Sequence, residues 1–268
     1  MNLIQNQKNQ KQEELVLNPK QLEAINSNEP NVLIIAPAGS GKTSTLIGAI
    51  QKYKAENPDK TVVAITFTNK ATDELVSRLG PLRKVYASTI HSWAYQQLDT
   101  LSQRVFKEFP TNAFKIKLLQ DDKIKEILTD ILKRKSFSYV KVDILFSFIM
   151  GNYNMDISDA LRSIFVTVNK EYKEYKERYG LYDFTDLPEY LLDKLNDYDM
   201  DIEGIDALFV DEFQDVDDVQ LELFERTKAE KKFFIGDPKQ CQPAGTKIRM
   251  SDGSQKNIED IEVGDTVV

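Results

Sequence analysis

Few residues of this chain suit cross-linking or structural metal: its 268 residues hold one cysteine, one histidine and one tryptophan. A single cysteine excludes an internal disulfide and fits a cytoplasmic setting. One histidine and one cysteine cannot build a Cys/His zinc cluster. No apolar run is long enough to span a bilayer, which argues against a membrane partner. The opening MNLIQNQKNQKQEE lacks an apolar signal-peptide core, and residues 1–14 read as a flexible polar tail. Positive charge is also short. Lys and Arg number 35 against 43 Asp and Glu, a net −8. That excludes coating nucleic acid by bulk charge, but not gripping a strand by local stacking and a few phosphate contacts. No long period repeats. A hydrophobic fraction of 41% supports a sizeable core, and the length allows one or two domains.

What is present is a set of short apolar runs, each ending in chemically distinctive residues. Val32–Ile35 reads as a buried strand. Ala36-Pro37-Ala38-Gly39-Ser40-Gly41-Lys42-Thr43 follows, and a helical pattern runs over Ser44–Lys54. Strand, glycine-rich loop and helix in that order read as a phosphate loop. Glycines let consecutive N–H groups curl around phosphate oxygens. The helix N-terminus adds partial positive charge. Residues Ala38 to Ser44 are therefore assigned to ATP. Lys42 would reach the β- and γ-phosphates, and the Thr43 hydroxyl would sit on Mg²⁺. Ala36 stands where such loops usually have their first glycine, and the plain alternative is a chance glycine turn before a helix.

Ala207–Val210 is a second apolar run and delivers Asp211 and Glu212 at its carboxyl end, where open α/β sheets place ligands. Asp211 is assigned to Mg²⁺, through water, and Glu212 to polarising the attacking water. The alternative for two such acids is a solvated strand end. Phe233–Ile235 reads as a parallel neighbour ending in Gly236-Asp237-Pro238-Lys239-Gln240.

Taken together these motifs resemble the UvrD/Rep-like helicases of superfamily 1, in family order over most of residues 15–240. Asp211-Glu212-Phe213-Gln214-Asp215, with Gln220 beyond it, is close to the family's DEFQD segment. That segment separates the group from kinases and GTPases, which share only the phosphate loop. The resemblance implies an α/β, RecA-like parallel sheet with an inserted helical subdomain. It implies ATP and Mg²⁺ as ligands, single-stranded DNA as partner, and unwinding with 3′-to-5′ polarity. Leu17-Asn18-Pro19-Lys20-Gln21 looks like the motif whose glutamine, here Gln21, reads the adenine edge. Gln240 falls where the family contacts the γ-phosphate and couples it to DNA.

Thr66-Phe67-Thr68-Asn69-Lys70-Ala71 resembles the first DNA-contact motif. It follows the apolar run Val62–Ile65 and opens a helix over Asn69–Leu79. Phe67 at such a site can stack on any base, while Thr66 and Asn69 can hold phosphates. The alternative for Phe67 is a core aromatic behind the sheet. Ser88-Thr89-Ile90-His91-Ser92 resembles the next single-strand contact, which assigns Thr89 and His91 to DNA. Taken alone, His91 would read as a satisfied structural residue. Tyr182-Asp183-Phe184-Thr185-Asp186-Leu187 resembles the segment that returns the chain to the RecA-like domain. The resulting organisation is 15–100 and 181–240 for the nucleotide-binding domain, with 101–180 as the helical insert. KIKEILTDILKRK in that insert repeats apolar residues at three and four. In the family, arginines reach the γ-phosphate from a second RecA-like domain. The expectation is half an ATPase site, which binds nucleotide weakly and hydrolyses it negligibly by itself.

At Cys241 the helicase pattern breaks. Where the family continues with serine, this chain reads Cys241-Gln242-Pro243-Ala244-Gly245-Thr246-Lys247-Ile248. Asp252-Gly253 between Lys247–Met250 and Gln255–Ile258 is a hairpin signal. Residues 241–268 resemble the N-terminal block of an intein, a short β-rich fragment, through Cys241, Gly245, Thr246, Ile248, Asp252, Gly253, Ile258, Asp260, Gly264, Asp265 and Val267. The Cys241 thiolate can attack the Gln240 carbonyl, turning the peptide bond into a thioester. The plain alternative for Cys241 is a small buried hydrophobe. Three readings stay open. One is a split-intein precursor that awaits a complementary chain carrying the C-terminal intein fragment and the rest of the helicase. Another is part of a helicase with a contiguous intein. The third is a stand-alone nucleotide-binding module with an unrelated β tail.

Overall fold

A computed structural model describes residues 17–37, 39–112, 114–151, 156–237, 247–250 and 254–257. The apolar runs become strands: β1 (Asn31–Ile35), β2 (Val62–Thr66), β3 (Val85–Thr89), β4 (Ala207–Val210) and β5 (Lys231–Gly236). They form one sheet in the order β1-β5-β4-β2-β3, and every pairing is parallel. All residues of β2 and β4 are buried. This is why they read as unbroken apolar runs rather than alternating ones. The parallel α/β architecture is the one the sequence implies.

Helices connect the strands: α1 (Pro19–Ile25), α2 (Lys42–Glu56), α3 (Asn69–Leu79), α4 (Ile90–Glu108), α5 (Asp121–Arg134), α6 (Val142–Ile149), α7 (Asp159–Tyr179), α8 (Leu187–Tyr198) and α9 (Asp218–Glu225). Their ends follow the chain's capping chemistry. The Thr68 hydroxyl accepts from Ala71 N–H at the start of α3, and the Asp217 carboxylate accepts from Gln220 N–H at the start of α9. One core joins Leu46, Ile47 and Ile50 of α2 and Leu75 and Leu79 of α3 to Val62, Ala64, Phe209, Phe233 and Ile235 of the sheet. The alternate residue Phe234 meets Phe213 and Phe224, with ring centroids 4.8 and 6.1 Å away.

The chain's contacts divide into two compact units, 1–90 with 201–268, and 91–200. The sheet unit holds the phosphate loop and both acidic strand ends. The helical unit has its own core, in which Ile124, Leu128 and Ile131 of α5 meet Leu145 and Phe148 of α6 and Phe165, Val168 and Tyr172 of α7. It also takes in α4 from His91 on and α8, although the sequence reading gives residues 91–100 and 181–200 to the nucleotide-binding part. Rings account for the local grouping: Phe109 and Phe114 both stack on Tyr198 of α8. A parallel bridge between Leu118 and Tyr182 adds two backbone hydrogen bonds.

In the tail, β6 (Lys247–Arg249) and β7 (Gln255–Asn257) pair antiparallel, with Ile248 opposite Lys256. Met250 N–H donates to Ser254 O at 2.8 Å. The hairpin expected around Asp252-Gly253 is present in its strands. Most of residues 241–268, Cys241 included, lie outside the described residues.

Candidate functional site

All five parallel strands end at the same edge of the sheet, and the motifs sit on those ends. β1 leads into the phosphate loop, where Ala36 N–H donates to Gly236 O of β5 at 2.9 Å. Gly39 and Gly41 have φ of +74° and +85°, the left-handed region that side chains resist. Gly41 caps α2 in that conformation, so the turn can deliver Lys42 and Thr43 on the first turn of a helix. A Cβ on Gly41 would also lie 2.7 Å from Gln21 Nε2. Ala38 lies outside the described residues.

Gln21 is engaged at both ends of its amide. Its Oε1 accepts from Asn18 N–H at 2.7 Å, closing a capping box on α1. Its Nε2 donates to Ser40 O at 3.0 Å. The residue assigned to adenine thus also braces the phosphate loop. Ser44 accepts from Arg78 Nη2 of α3 at 2.7 Å, so the hydroxyl placed with ATP by sequence has a protein partner.

Lys42, 8% exposed, points to the acidic strand end. Its Nζ lies 2.8 Å from Glu212 Oε2. Thr43 Oγ1 donates to Asp211 Oδ2 at 3.5 Å. The four residues assigned to phosphate, Mg²⁺ and water therefore converge. Glu212 adopts φ 48°, ψ 45°, a left-handed conformation unusual for a residue with a side chain. Its carboxylate also accepts from Gln214 Nε2 at 2.9 Å, and Gln214 Oε1 accepts from Asp237 N–H at 2.8 Å.

Asp211 is 5% exposed. Burial pushes its carboxyl above the usual carboxylate range and the neighbouring Glu212 charge adds to this, while Glu212 N–H, Lys42 and Thr43 pull the other way. The Asp211 carboxylate and the Thr43 hydroxyl are hard oxygen donors, and Mg²⁺ is bound through one or two carboxylates plus waters and phosphate oxygens. The donor set fits that ion, whose charge would relieve the buried carboxylate. Among the described residues no group of three or more His, Cys, Asp or Glu converges to hold a metal by itself.

This burial has a consequence for stability. A carboxyl whose folded pKa is raised favours folding below its unfolded pKa and loses that contribution as pH rises through the folded value. Ionised Asp211 therefore opposes folding at neutral pH when no cation is bound. Asp211→Asn should raise the melting temperature of the nucleotide-free protein at pH 7, on a scale of about 2–4 °C per kcal/mol in a domain of this size. The gain should shrink toward pH 4 and be accompanied by loss of Mg²⁺-dependent nucleotide binding. Thermal scans across pH check it; a lower melting temperature at pH 7 overturns it.

On the other side of β4, the sheet register sets Thr66 at the end of β2 opposite Thr89 at the end of β3. The Thr66 side chain is turned inward, 1% exposed, and shares a 2.6 Å hydrogen bond with Thr72. Phe67 is half-buried and Asn69 is exposed at the first turn of α3. In the helical unit, the His91 ring lies 6.3 Å from the ring of Phe184, which is 41% exposed.

Phe184 lies between two members of an ionic cluster, Asp183 and Asp186. Lys176 Nζ contacts Asp183 and Asp186 at 2.6 Å each, and Tyr172 OH donates to Asp183 at 2.9 Å. Burial alone would raise the Asp183 carboxyl. The hydrogen bonds from Lys176 and Thr185 outweigh it and hold the group below its ordinary value. Gln214, Arg78 and Phe184 carry no role in the sequence reading. Two of them were in view, Gln214 inside DEFQD and Phe184 inside YDFTDL, but neither string shows what its side chain touches. Gln240 and Cys241 lie outside the described residues.

A family-wide sequence model described as the UvrD/REP helicase N-terminal domain matches residues 17–241. The chain belongs to that family. Among individual proteins, it is 28% identical to a "Probable DNA helicase II homolog" of Mycoplasma capricolum subsp. capricolum, over 84% of this chain and 34% of the relative. It is 27% identical to "DNA helicase II" of Escherichia coli K12, over 76% of this chain and 31% of the relative. It is 30% identical to the "ATP-dependent DNA helicase Rep" of Buchnera aphidicola, over 84% and 38%. The chain thus spans about a third of the length of the curated relatives it matches. No helix among the described residues is long and apolar enough to cross a membrane.

Proposed function

We propose that this UvrD/REP-type chain supplies the nucleotide-binding face of an ATP-dependent DNA helicase moving 3′ to 5′ on single-stranded DNA. The observation that carries this reading is the convergence of Lys42, Thr43, Asp211 and Glu212 at one sheet edge under a glycine-shaped loop. Residues 39–44 receive the phosphates, and Lys42 exchanges its Glu212 partner for phosphate oxygens. Mg²⁺ held by Asp211 and Thr43 would neutralise phosphate charge. Glu212, freed from Lys42, orients the attacking water. Gln21 meets the adenine from its position against the loop, and Gln240 senses the γ-phosphate.

The direct test is titration of the 268-residue chain with a fluorescent Mg²⁺-nucleotide. Hydrogen bonds to charged groups are worth about 1.5–3 kcal/mol. Lys42→Ala should therefore weaken binding by about tenfold or more. Equal affinity in the two proteins overturns the assignment.

On the DNA side, the sheet unit offers Thr66 at the end of β2, Phe67 after it, Asn69 at the first turn of α3 and Thr89 at the end of β3; within the helical unit, His91 is assigned to DNA by its motif. A base can stack on an exposed ring whatever its identity. Phe67→Ala should cost about 1–3 kcal/mol of single-strand affinity, with little dependence on sequence. A fluorescence-anisotropy titration with oligonucleotides of different composition measures this. Unchanged affinity would make Phe67 a core aromatic.

Residues 241–268 support a second activity, the N-terminal block of an intein with Cys241 as nucleophile. The family match ends at Cys241, and an antiparallel hairpin follows it. The partner in this reading is a complementary chain with the C-terminal intein segment and the remainder of the helicase, joined to Gln240 by trans-splicing in the cytoplasm.

A further inference from the structure

Glu212 stands in a left-handed conformation, and two side chains share one of its oxygens. Lys42 Nζ and Gln214 Nε2 lie 2.8 and 2.9 Å from Glu212 Oε2. The other end of the Gln214 amide accepts from Asp237 N–H, the first backbone amide beyond β5. Space for this strut is built in. Gly236 has no side chain, and a Cβ there would lie 2.7 Å from Gln214 Oε1. Gln214 itself is 8% exposed, so the strut works where a hydrogen bond to charge is strong.

We infer that Gln214 is the positioning residue that lets Lys42 leave Glu212 for an incoming phosphate. This rests on the nucleotide reading above and deepens it. In the nucleotide-free protein Glu212 has two partners. When Lys42 moves to phosphate, the Gln214 amide stays and keeps the Glu212 carboxylate solvated and aimed. Without Gln214, Glu212 would hold Lys42 as its main counter-charge, and nucleotide would have to break a stronger pair.

The test is a thermodynamic cycle on Mg²⁺-nucleotide affinity in the 268-residue chain. Gln214→Met removes the amide but keeps the bulk, and should weaken binding about threefold, the range of a partly exposed ion pair. In a Glu212→Gln background, which has no charge to grip Lys42, the same change should have no effect. A purely structural role would weaken both backgrounds equally and overturns the inference. Gln214→Glu keeps the acceptor for Asp237 N–H but repels Glu212, and should bind more weakly still. The exchange variant Glu212→Gln with Gln214→Glu restores the hydrogen bond with its polarity reversed. It should bind as Glu212→Gln does; affinity as poor as that of Gln214→Glu alone also overturns the inference. Failure of the underlying nucleotide reading looks different: parental and Lys42→Ala proteins would then bind alike, whatever stands at 214.

Discussion

Glu212→Gln should bind Mg²⁺-nucleotide at least as tightly as the parental chain and lose hydrolysis. Two features of the site separate these effects. In the proposed reading, the ground-state contacts to phosphate come from the loop, the helix N-terminus and Lys42. Glu212 is not among them; it competes for Lys42 through the 2.8 Å ion pair. Neutralising Glu212 releases that lysine. The pair is partly solvent-exposed on the Glu212 side, so the gain in affinity should be a few-fold at most, the range of a weak ion pair. Hydrolysis needs a carboxylate to orient and polarise water, and a positioned acid–base group is worth about 10²–10⁴ in rate. The loss should therefore be about that large in the chain joined to the rest of the helicase. Gln214 can still hydrogen-bond the new amide, so the geometry persists and the chemistry is what changes. Phosphate release under single-turnover conditions, read beside nucleotide affinity, checks the pair of outcomes. Parental hydrolysis by Glu212→Gln would remove Glu212 from the mechanism.

Cys241→Ala should abolish every reaction at the Gln240–Cys241 bond. A thiolate is the only side-chain nucleophile at that junction that can take the acyl group from its own amide nitrogen. With the complementary intein segment and its flank supplied, the parental chain should form a thioester at Gln240. Added thiol should cleave it there. Without added thiol, Gln240 should appear joined to the first residue of the flank, for which the helicase resemblance implies serine, with residues 241–268 released. Alanine offers no sulfur, so both products should vanish while the sheet unit keeps its thermal transition. Mass spectrometry of the mixture decides. Ligation by Cys241→Ala, or a bound complementary segment with no peptide spanning the Gln240 junction, overturns the reading. In sequence, the bond lies three residues beyond Asp237, whose N–H donates to Gln214. In the proposed reading, joining Gln240 to the DNA-coupling segment would complete the motor.

Much of this protein could be read from local pattern. Ala207–Val210 and Val62–Ile65 are unbroken apolar runs because both faces of a central parallel strand are covered. Asn69–Leu79 was legible to the residue because Thr68 caps one end and Gly80 stops the other. That Lys42, Thr43, Asp211 and Glu212 meet was legible because a glycine loop after one strand and two acids at the end of another belong at the same edge of a parallel sheet. The pairing of 247–249 with 255–257 was legible from the Asp252-Gly253 signal between two β-like runs.

Other features depended on contacts between residues far apart in the chain. Sequence placed Phe233–Ile235 beside Ala207–Val210, but not the insertion of β5 between β1 and β4, which seats Gly236 against Ala36 on one side and lets Gln214 reach Asp237 on the other. Strand order is carried by which apolar faces fit together, and every central strand shows the same run of apolar residues. The grouping of α4 and α8 with the helical unit likewise rests on rings from distant segments, Phe109 and Phe114 on Tyr198. Thr66 stood in a DNA-contact motif, yet its hydroxyl turns inward to Thr72, because a residue at the end of a buried strand must satisfy its polar atom nearby. By itself the sequence determined which residue types stand at the strand ends and in the glycine loop. Only the tertiary structure decided that Glu212 is shared between Lys42 and Gln214, since a hydrogen bond is set by distance and direction and neither is written in a local pattern.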